Sequence, residues 1–340
     1  MRYRGGLDEP IRLGRQRLWF CRYGAFKEEG VCRKTHNRIP ELRQNRPDTT
    51  VDLRSKIYTR LGRMSATRKS TTVASHYDRL DRFYRRLWGD HLHHGLWADP
   101  SWSQAQAVRH LVHRVAREAR CTNGTRVCDI GSGYGAPARL FSEEYGTHVT
   151  AFTVSEAQHA YAVMQPVDGP RPDYRLQDVR KNDVPEASMD AVVAIESLSH
   201  IENAADVLCE AARMLRPGGR LVICAWLAAE EPPGWARRWL LNPIREEGRL
   251  ATLPTASMLR TWIRDAGFSI ERFDDVSRQV RRTWRVVIGR ILHAVVTDPD
   301  ARRFLLDASE PDRIFARTVV RIWIAYRVEV LRYGWLVARL

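Results

Sequence analysis

Residues 127–136 read Val-Cys-Asp-Ile-Gly-Ser-Gly-Tyr-Gly-Ala, and this stretch decides the fold. An apolar run ends at Asp129, glycines follow at alternate positions (Gly131, Gly133, Gly135), and a helical pattern begins at Ala136. That order describes a buried parallel strand, a tight turn and a helix N-terminus. Glycine is needed because the backbone must bend sharply and let a ligand come within contact distance. The spacing is G-x-G-x-G, with an acid two residues before the first glycine, and differs from the G-x-G-x-x-G of dinucleotide binders.

Working outward, apolar runs and helical periods alternate along the chain. Strands are predicted at Arg126–Ile130, His148–Val154, Tyr174–Leu176, Ala191–Ile195, Arg220–Ala225, Ser269–Phe273 and Tyr333–Leu340. Between them, helices are predicted at Ala136–Tyr145, Glu156–Met164, Ala204–Leu215 and Ala256–Ala266, with Pro217-Gly218-Gly219 and Gly267 as stops. Such alternation implies an α/β fold, a Rossmann-like, seven-stranded, mostly parallel sheet with helices on both faces. Two helices precede it, at His76–Trp88 and at about Ser103–Ala119, and Arg-studded helical patterns follow at 279–296 and 312–330. Both sets read as lid elements.

The domain reading is a basic extension over 1–63 without sustained periodicity, a helical cap over 64–120 and the main domain over 121–340. Lid insertions are placed at 228–254 and 277–330. The extension is expected to lack regular structure except for one short helix at Arg12–Phe20, and Met64 is an alternative start. It holds 16 Lys and Arg against 7 Asp and Glu, so +9 of the net charge of +15 lies there and only +6 in the remaining 277 residues. The part with the chemistry is therefore only mildly basic. The six cysteines (21, 32, 121, 128, 209, 224) form no C-x-x-C pair. Reduced thiols and a cytoplasmic location are expected. No run is long and apolar enough to read as a membrane span.

Chemistry is expected at the carboxyl ends of the strands. Asp129, Gly131, Ser132 and Gly133 mark the first such end. The second ends in Ala-Phe-Thr-Val-Ser-Glu-Ala-Gln (151–158), which offers Thr153 and Gln158, and the third in Gln177-Asp178-Val179. The fourth ends in Glu196-Ser197-Leu198-Ser199-His200, and upstream lies Trp88-Gly89-Asp90-His91-Leu92-His93-His94-Gly95.

Taken together these motifs resemble the tocopherol-type small-molecule methyltransferases, within the Rossmann-like S-adenosylmethionine-dependent enzymes. That family carries a Gly-x-Thr-Leu-Ser-x-x-Gln segment, a Glu-Ser-x-x-His segment and an Arg-Pro-Gly-Gly turn at the matching places. The chain departs at the first small residue and at the Leu, and it has Thr153 where many methyltransferases place an acid. The resemblance implies S-adenosyl-L-methionine as cofactor, bound by Asp129, Gly131, Ser132, Gly133, Thr153, Gln158, Gln177, Asp178, Val179 and Glu196. Tyr77 and His94 would cover it, and Tyr77, Tyr84 and Trp88 are candidates to roof the sulfonium. His200 and Glu196 are the catalytic candidates, His200 being equally readable as a structural histidine. The cluster His91, His93, His94 is read as the cofactor-covering loop, with no metal.

The implied acceptor is a small, lipophilic molecule, a phenol or quinol oxygen or an activated carbon, with amine or terpenoid acceptors as the alternative. A weak contact with a membrane surface and the oligomeric state stay open. Nucleic acid is not expected as a partner. The fourth strand lacks the Asn/Asp-Pro-Pro-aromatic motif of amino-methylating nucleic-acid enzymes, and Cys224 has no preceding proline. A non-catalytic cofactor binder is the remaining reading.

Overall fold

The computed structural model describes residues 90–299, 302–303 and 314–340, with three short strands near the N-terminus. The chain divides into two compact units, Met1–Thr72 and Val73–Leu340. In the first, Trp19–Phe20, Phe26–Glu28 and Val31–Arg33 form a small antiparallel sheet. A strand thus stands where the end of the Arg12–Phe20 helix was expected. The anticipated helix His76–Trp88, with Tyr77, Tyr84 and Trp88, lies outside the described residues.

The second unit is built on seven strands: β1 (Arg126–Ile130), β2 (His148–Thr153), β3 (Asp173–Leu176), β4 (Met189–Ile195), β5 (Leu215–Ala228), β6 (Ser269–Asp275) and β7 (Leu331–Arg339). Their order across the sheet is β3-β2-β1-β4-β5-β7-β6. All pairings from β3 through β5 are parallel, and β7 runs antiparallel to both its neighbours. After β3 the chain crosses back over β1 to lay down β4, so the order reverses between β1 and β4. A crevice therefore opens at the carboxyl ends of those two strands.

Successive strand residues face opposite sides of the sheet, and the core divides accordingly. Val127, Val149, Ala191, Val193, Val222 and Trp335 pack on one face, together with Leu111, Val112 and Phe141 from the helices. Cys128, Ile130, Phe152, Val192, Ile223 and Leu336 pack on the other, against Val207, Leu208, Leu259 and Ile263. The helices are α1 (Gln104–Glu118), α2 (Ala136–Tyr145), α3 (Glu156–Met164), α4 (Ala204–Met214), α5 (Ala256–Asp265), α6 (Arg282–Thr297) and α7 (Ile314–Arg327). Helix α1 starts where its sequence says it should. Ser103 caps it, accepting from the Gln106 backbone N–H, and the Gln106 side chain accepts in return from Ser103.

Strand β5 starts earlier than expected. Pro217-Gly218-Gly219, read as a turn ahead of the strand, is carried inside it as an outward bulge. Met189 pairs with Leu215 but Ala191 with Arg220, so the extra β5 residues leave the ladder. Gly218 takes a φ of +79° in that bulge, which its lack of a side chain permits. No helix among the described residues is long and apolar enough to cross a membrane.

Leu111 is 0% exposed in the α1 contact with the sheet, whereas Leu292 on α6 is 62% exposed. Leu111→Ala should lower unfolding free energy by about 2–5 kcal/mol through lost transfer energy and cavity. Leu292→Ala should change it by less than about 0.5 kcal/mol. Urea midpoints of the two variants check this contrast.

Candidate active site at the carboxyl ends of the strands

The turn after β1 is held by Ser132 N–H donating to the Phe152 carbonyl on β2 (2.8 Å) and Gly135 N–H to the Ser132 carbonyl (2.9 Å). Two of its glycines serve different ends. Gly131 (φ +77°) stands so close to β4 that an added Cβ would lie 2.4 Å from the Ser197 Cβ. Gly133 (φ +55°) has nothing within 4 Å of such an atom. The first glycine thus lets two strand ends meet, and the second leaves room above the turn.

At the β1 and β4 ends, buried polar atoms stand without hydrogen-bond partners among the described residues: Asp129 Oδ2, Ser132 Oγ, Ser197 Oγ and Ser199 Oγ. All four residues are buried. Native interiors rarely leave buried polar groups unsatisfied, so a cluster of them points to a polar ligand. Burial with few donors pushes the Asp129 carboxyl up to about 7, which makes it ready to ionise against a cation.

At the β2 end, Thr153 Oγ1 donates to Gln158 Oε1 (3.0 Å), and Ser155 caps α3 by accepting from Gln158 N–H (3.2 Å). The two expected ligand residues are therefore joined to each other. At the β3 end the picture differs from expectation. Asp178 is gripped by Arg180: Nη2 to Oδ2 at 2.6 Å, Nε to Oδ1 at 3.0 Å, and the backbone N–H to Oδ1 at 2.9 Å. Hydrogen bonding from Arg180 holds that carboxyl below its usual range. Gln177 is half-buried and donates to the Lys181 carbonyl (2.7 Å), while Val179 is buried.

The β4 end carries the densest set of contacts. Glu196 adopts φ +58°, a left-handed conformation uncommon outside glycine. Its Oε1 accepts from His94 N–H (2.7 Å), His94 Nδ1 (2.9 Å) and Tyr333 OH (2.7 Å), and its Oε2 from Trp226 Nε1 (2.7 Å). Trp284 Nε1 donates to His94 Nε2 at 2.6 Å. An indole N–H can only donate, so His94 Nε2 is the acceptor and Nδ1 carries the proton toward Glu196. The His94 ring also meets Trp226, Trp284, Tyr326 and Tyr333 edge-on, at centroid distances of 4.9–5.7 Å. Burial opposes ionisation of Glu196, but His94 and the other donors outweigh it and hold the carboxyl down to about 2. Such a carboxylate has almost no basicity at neutral pH and stands as an anion available to hold a neighbouring group.

His200 ends a single turn, Leu198–His200, with its backbone N–H donating to the Ser197 carbonyl (3.0 Å). Burial lowers its pKa and keeps the ring neutral, offset in part by a hydrogen bond with the Arg249 backbone. His91 and His93 are used locally. His93 Nδ1 donates to the His94 carbonyl (2.8 Å), so His91 Nδ1 donates to His93 Nε2 (3.0 Å). No group of three or more His, Cys, Asp or Glu able to hold a metal occurs among the described residues.

The structure thus gathers Asp129, Gly131, Ser132, Gly133, Glu196 and His200 at the β1/β4 switch point, with Thr153 and Gln158 at the neighbouring strand end. It turns Asp178 onto Arg180 and encloses the His94 ring in an aromatic cage. Tyr77 lies outside the described residues. The cage residues Trp226, Tyr333, Trp284 and Tyr326 escaped the sequence reading. They sit on four elements more than a hundred residues beyond His94, and no local spacing links them to it.

A family model described as a methyltransferase domain matches residues 101–272, half of the chain. The 27-O-demethylrifamycin SV methyltransferase of Amycolatopsis mediterranei (strain S699) is 33% identical over 217 residues, covering 62% of this chain and 79% of that protein. The 2-methyl-6-phytyl-1,4-hydroquinone methyltransferase of Synechocystis sp. is 30% identical over 164 residues, 46% of this chain and 52% of that protein. The sarcosine/dimethylglycine N-methyltransferase of Halorhodospira halochloris is 31% identical over 207 residues, 59% of this chain and 73% of that protein. Among solved structures, the [4+2]-cyclase SpnF superposes with a TM-score of 0.65 at 26% identity, covering 78% of this chain and 95% of that chain. The relatives thus span oxygen and nitrogen acceptors, and the coarse reading holds without the tocopherol-specific one. With this sheet order and this family match, the chain belongs to the methyltransferase-domain family and is a methyltransferase of the Rossmann-like, S-adenosylmethionine-dependent fold.

Proposed function

We propose that this chain transfers the methyl group of S-adenosylmethionine to a small, lipophilic acceptor at a phenol or quinol oxygen or an activated carbon. The observation that carries the reading is the set of unpartnered, buried Asp129, Ser132 and Ser197 oxygens around the open turn at Gly133. Their chemistry fits a ligand with an ammonium group and hydroxyls. When bound, the cofactor supplies an electrophilic methyl group on a cationic sulfur.

Asp129 would meet the amino end of the cofactor, and Thr153 with Gln158 would meet ribose hydroxyls. Val179 offers an apolar wall for adenine. Asp178 can accept from the adenine amino group only by sharing its oxygens with Arg180. Glu196 positions the loop that carries His94 and takes no part as a base. His200 accepts the acceptor's proton. An ordinary phenol near pKa 10 and an ordinary histidine near 6.5 differ by about 3.5 units. Burial lowers His200 further and widens that gap, so the proton leaves only as the new O–C bond forms. The remaining catalytic advantage is positioning in a water-poor crevice. Amine acceptors are the second reading, favoured by the N-methyltransferases among the relatives.

Three measurements test this. Mass-spectrometric screening of phenols, quinols, amines and terpenoids with labelled cofactor should find a methylated oxygen or carbon product. His200→Ala should then cut kcat on an oxygen acceptor by about 10²–10⁴ while leaving carbon acceptors nearly untouched. Secondly, binding of S-adenosylhomocysteine should strengthen as pH rises toward 7. The Asp129 carboxyl must lose its proton to pair with the ligand's ammonium, so affinity below pH 7 should fall by up to about tenfold per unit. Asp129→Asn should flatten that profile; an unchanged profile contradicts the assignment. Thirdly, Gly133→Ala forces a side chain into a left-handed conformation at a cost of about 1–2 kcal/mol with no clash. It should stay folded yet lose S-adenosylhomocysteine affinity out of proportion to its small loss of Tm.

A further inference from the structure

We propose that the excursion between β5 and α5 carries a docking face for an anionic phospholipid surface, from which a membrane-dissolved acceptor reaches the strand ends. The acceptor part of this proposal rests on the methyl-transfer reading above; the docking part does not.

Residues 234–247 run through three short helical pieces, Gly234–Ala236, Arg237–Leu241 and Asn242–Glu247. Their inner side is fully used. Ala236, Leu240, Leu241 and Ile244 are buried in the main core. The opposite stripe holds Trp235, Arg238, Trp239, Asn242 and Arg245, all exposed. Trp235 is 54% and Trp239 62% exposed. A surface helix whose apolar side is already packed should be polar outward. Two outward indoles four residues apart are costly in water and need another reason.

Their neighbours supply the chemistry of that reason. The Arg238 guanidinium lies 5.1 Å over the Trp239 ring, and Arg237 is exposed beside them. Indole with guanidinium is the pairing suited to a bilayer interface. The rings rest at headgroup level and the guanidinium groups meet phosphates. The acids of the segment do not cancel this charge. Glu247 is turned inward to Thr318 and Arg321, and Glu230 accepts from Ser257 at the far end of the excursion. Glu246 sits beside Arg245, and the two remaining exposed acids, Glu230 and Glu231, lie ahead of the stripe, Glu230 already engaged by Ser257. An anionic surface complements what is left.

The place in the fold gives the face a use. The excursion leaves from the carboxyl end of β5 and returns beside the acceptor-side residues. Thr252 N–H donates to the Ser199 carbonyl (3.1 Å), and His200 bonds to the Arg249 backbone. A surface held by Trp235 and Trp239 is thus carried on the same stretch of chain that borders the reacting end of the crevice. A lipophilic acceptor concentrated in a bilayer would enter without crossing water.

The test is flotation of the full chain with vesicles of phosphatidylcholine alone and of an equal mixture of phosphatidylcholine and phosphatidylglycerol. The wild type should float with the mixed vesicles, fail to float with the neutral ones, and dissociate as salt is raised. Arg237→Gln with Arg238→Gln should weaken binding about thirtyfold, since each arginine near such a surface contributes about 1 kcal/mol. Trp235→Ala with Trp239→Ala should weaken it by about tenfold or more. Neither pair should change S-adenosylhomocysteine binding by calorimetry, which reports the fold and cofactor crevice independently. The proposal is overturned if the wild type shows no preference for anionic vesicles, or if the tryptophan pair changes nothing. It is equally overturned if that pair abolishes self-association in a chain that never floats. Absence of methyl transfer to every acceptor would sink the enzymatic reading alone and would leave the flotation result standing.

Discussion

The whole arrangement depends on how closely the carboxyl ends of β1 and β4 approach. Residue 131 can be nothing larger than glycine, because Ser197 occupies the space a side chain would take. That approach brings the turn at Gly133 and the turn at Leu198–His200 to one crevice. Glu196, just past the end of β4, adopts a left-handed backbone, a strain of order 1–3 kcal/mol. Four hydrogen bonds from three parts of the chain fix the residue in that state.

Two buried carboxylates at adjacent strand ends are treated in opposite ways. Asp129 is taken out of water with an oxygen left bare, so its proton affinity rises to about 7. Glu196 is buried too, but every approach to it carries a donor, and its proton affinity falls to about 2. Environments that drive two like groups apart in this way divide labour between them. Asp129 is poised for a cationic ligand. Glu196 serves as a permanent anion that ties the 91–97 loop to β5 and β7, while His94 extends the tie to α6 and α7 through Trp284 and Tyr326.

Much of this was legible because the evidence was local. The apolar run before Asp129, the alternate glycines and the strand–helix alternation are short-range patterns, and the strand ends at Ile130, Leu176 and Ile195 fall where those patterns end. Thr153 and Gln158 were legible as a pair at the second strand end, but their bond to each other was not. What was not legible depends on distant partners. Nothing near Asp178 in the motif announces that Arg180 will turn back onto it rather than outward. The cage around His94 joins residues separated by more than a hundred positions, so no periodicity could reveal it. The early start of β5 was hidden because Pro217-Gly218-Gly219 reads as a turn, and only the partner strand shows it as a bulge within the ladder.

The central claim is that the β1 turn and the β4 end are two walls of one ligand crevice. Hydrogen exchange of the purified protein with and without S-adenosylhomocysteine tests it most directly. Peptides covering 129–136 and 196–201 should gain protection together, with the outer stripe of 234–245 unchanged. Protection at neither wall, or at one wall alone, would contradict the account.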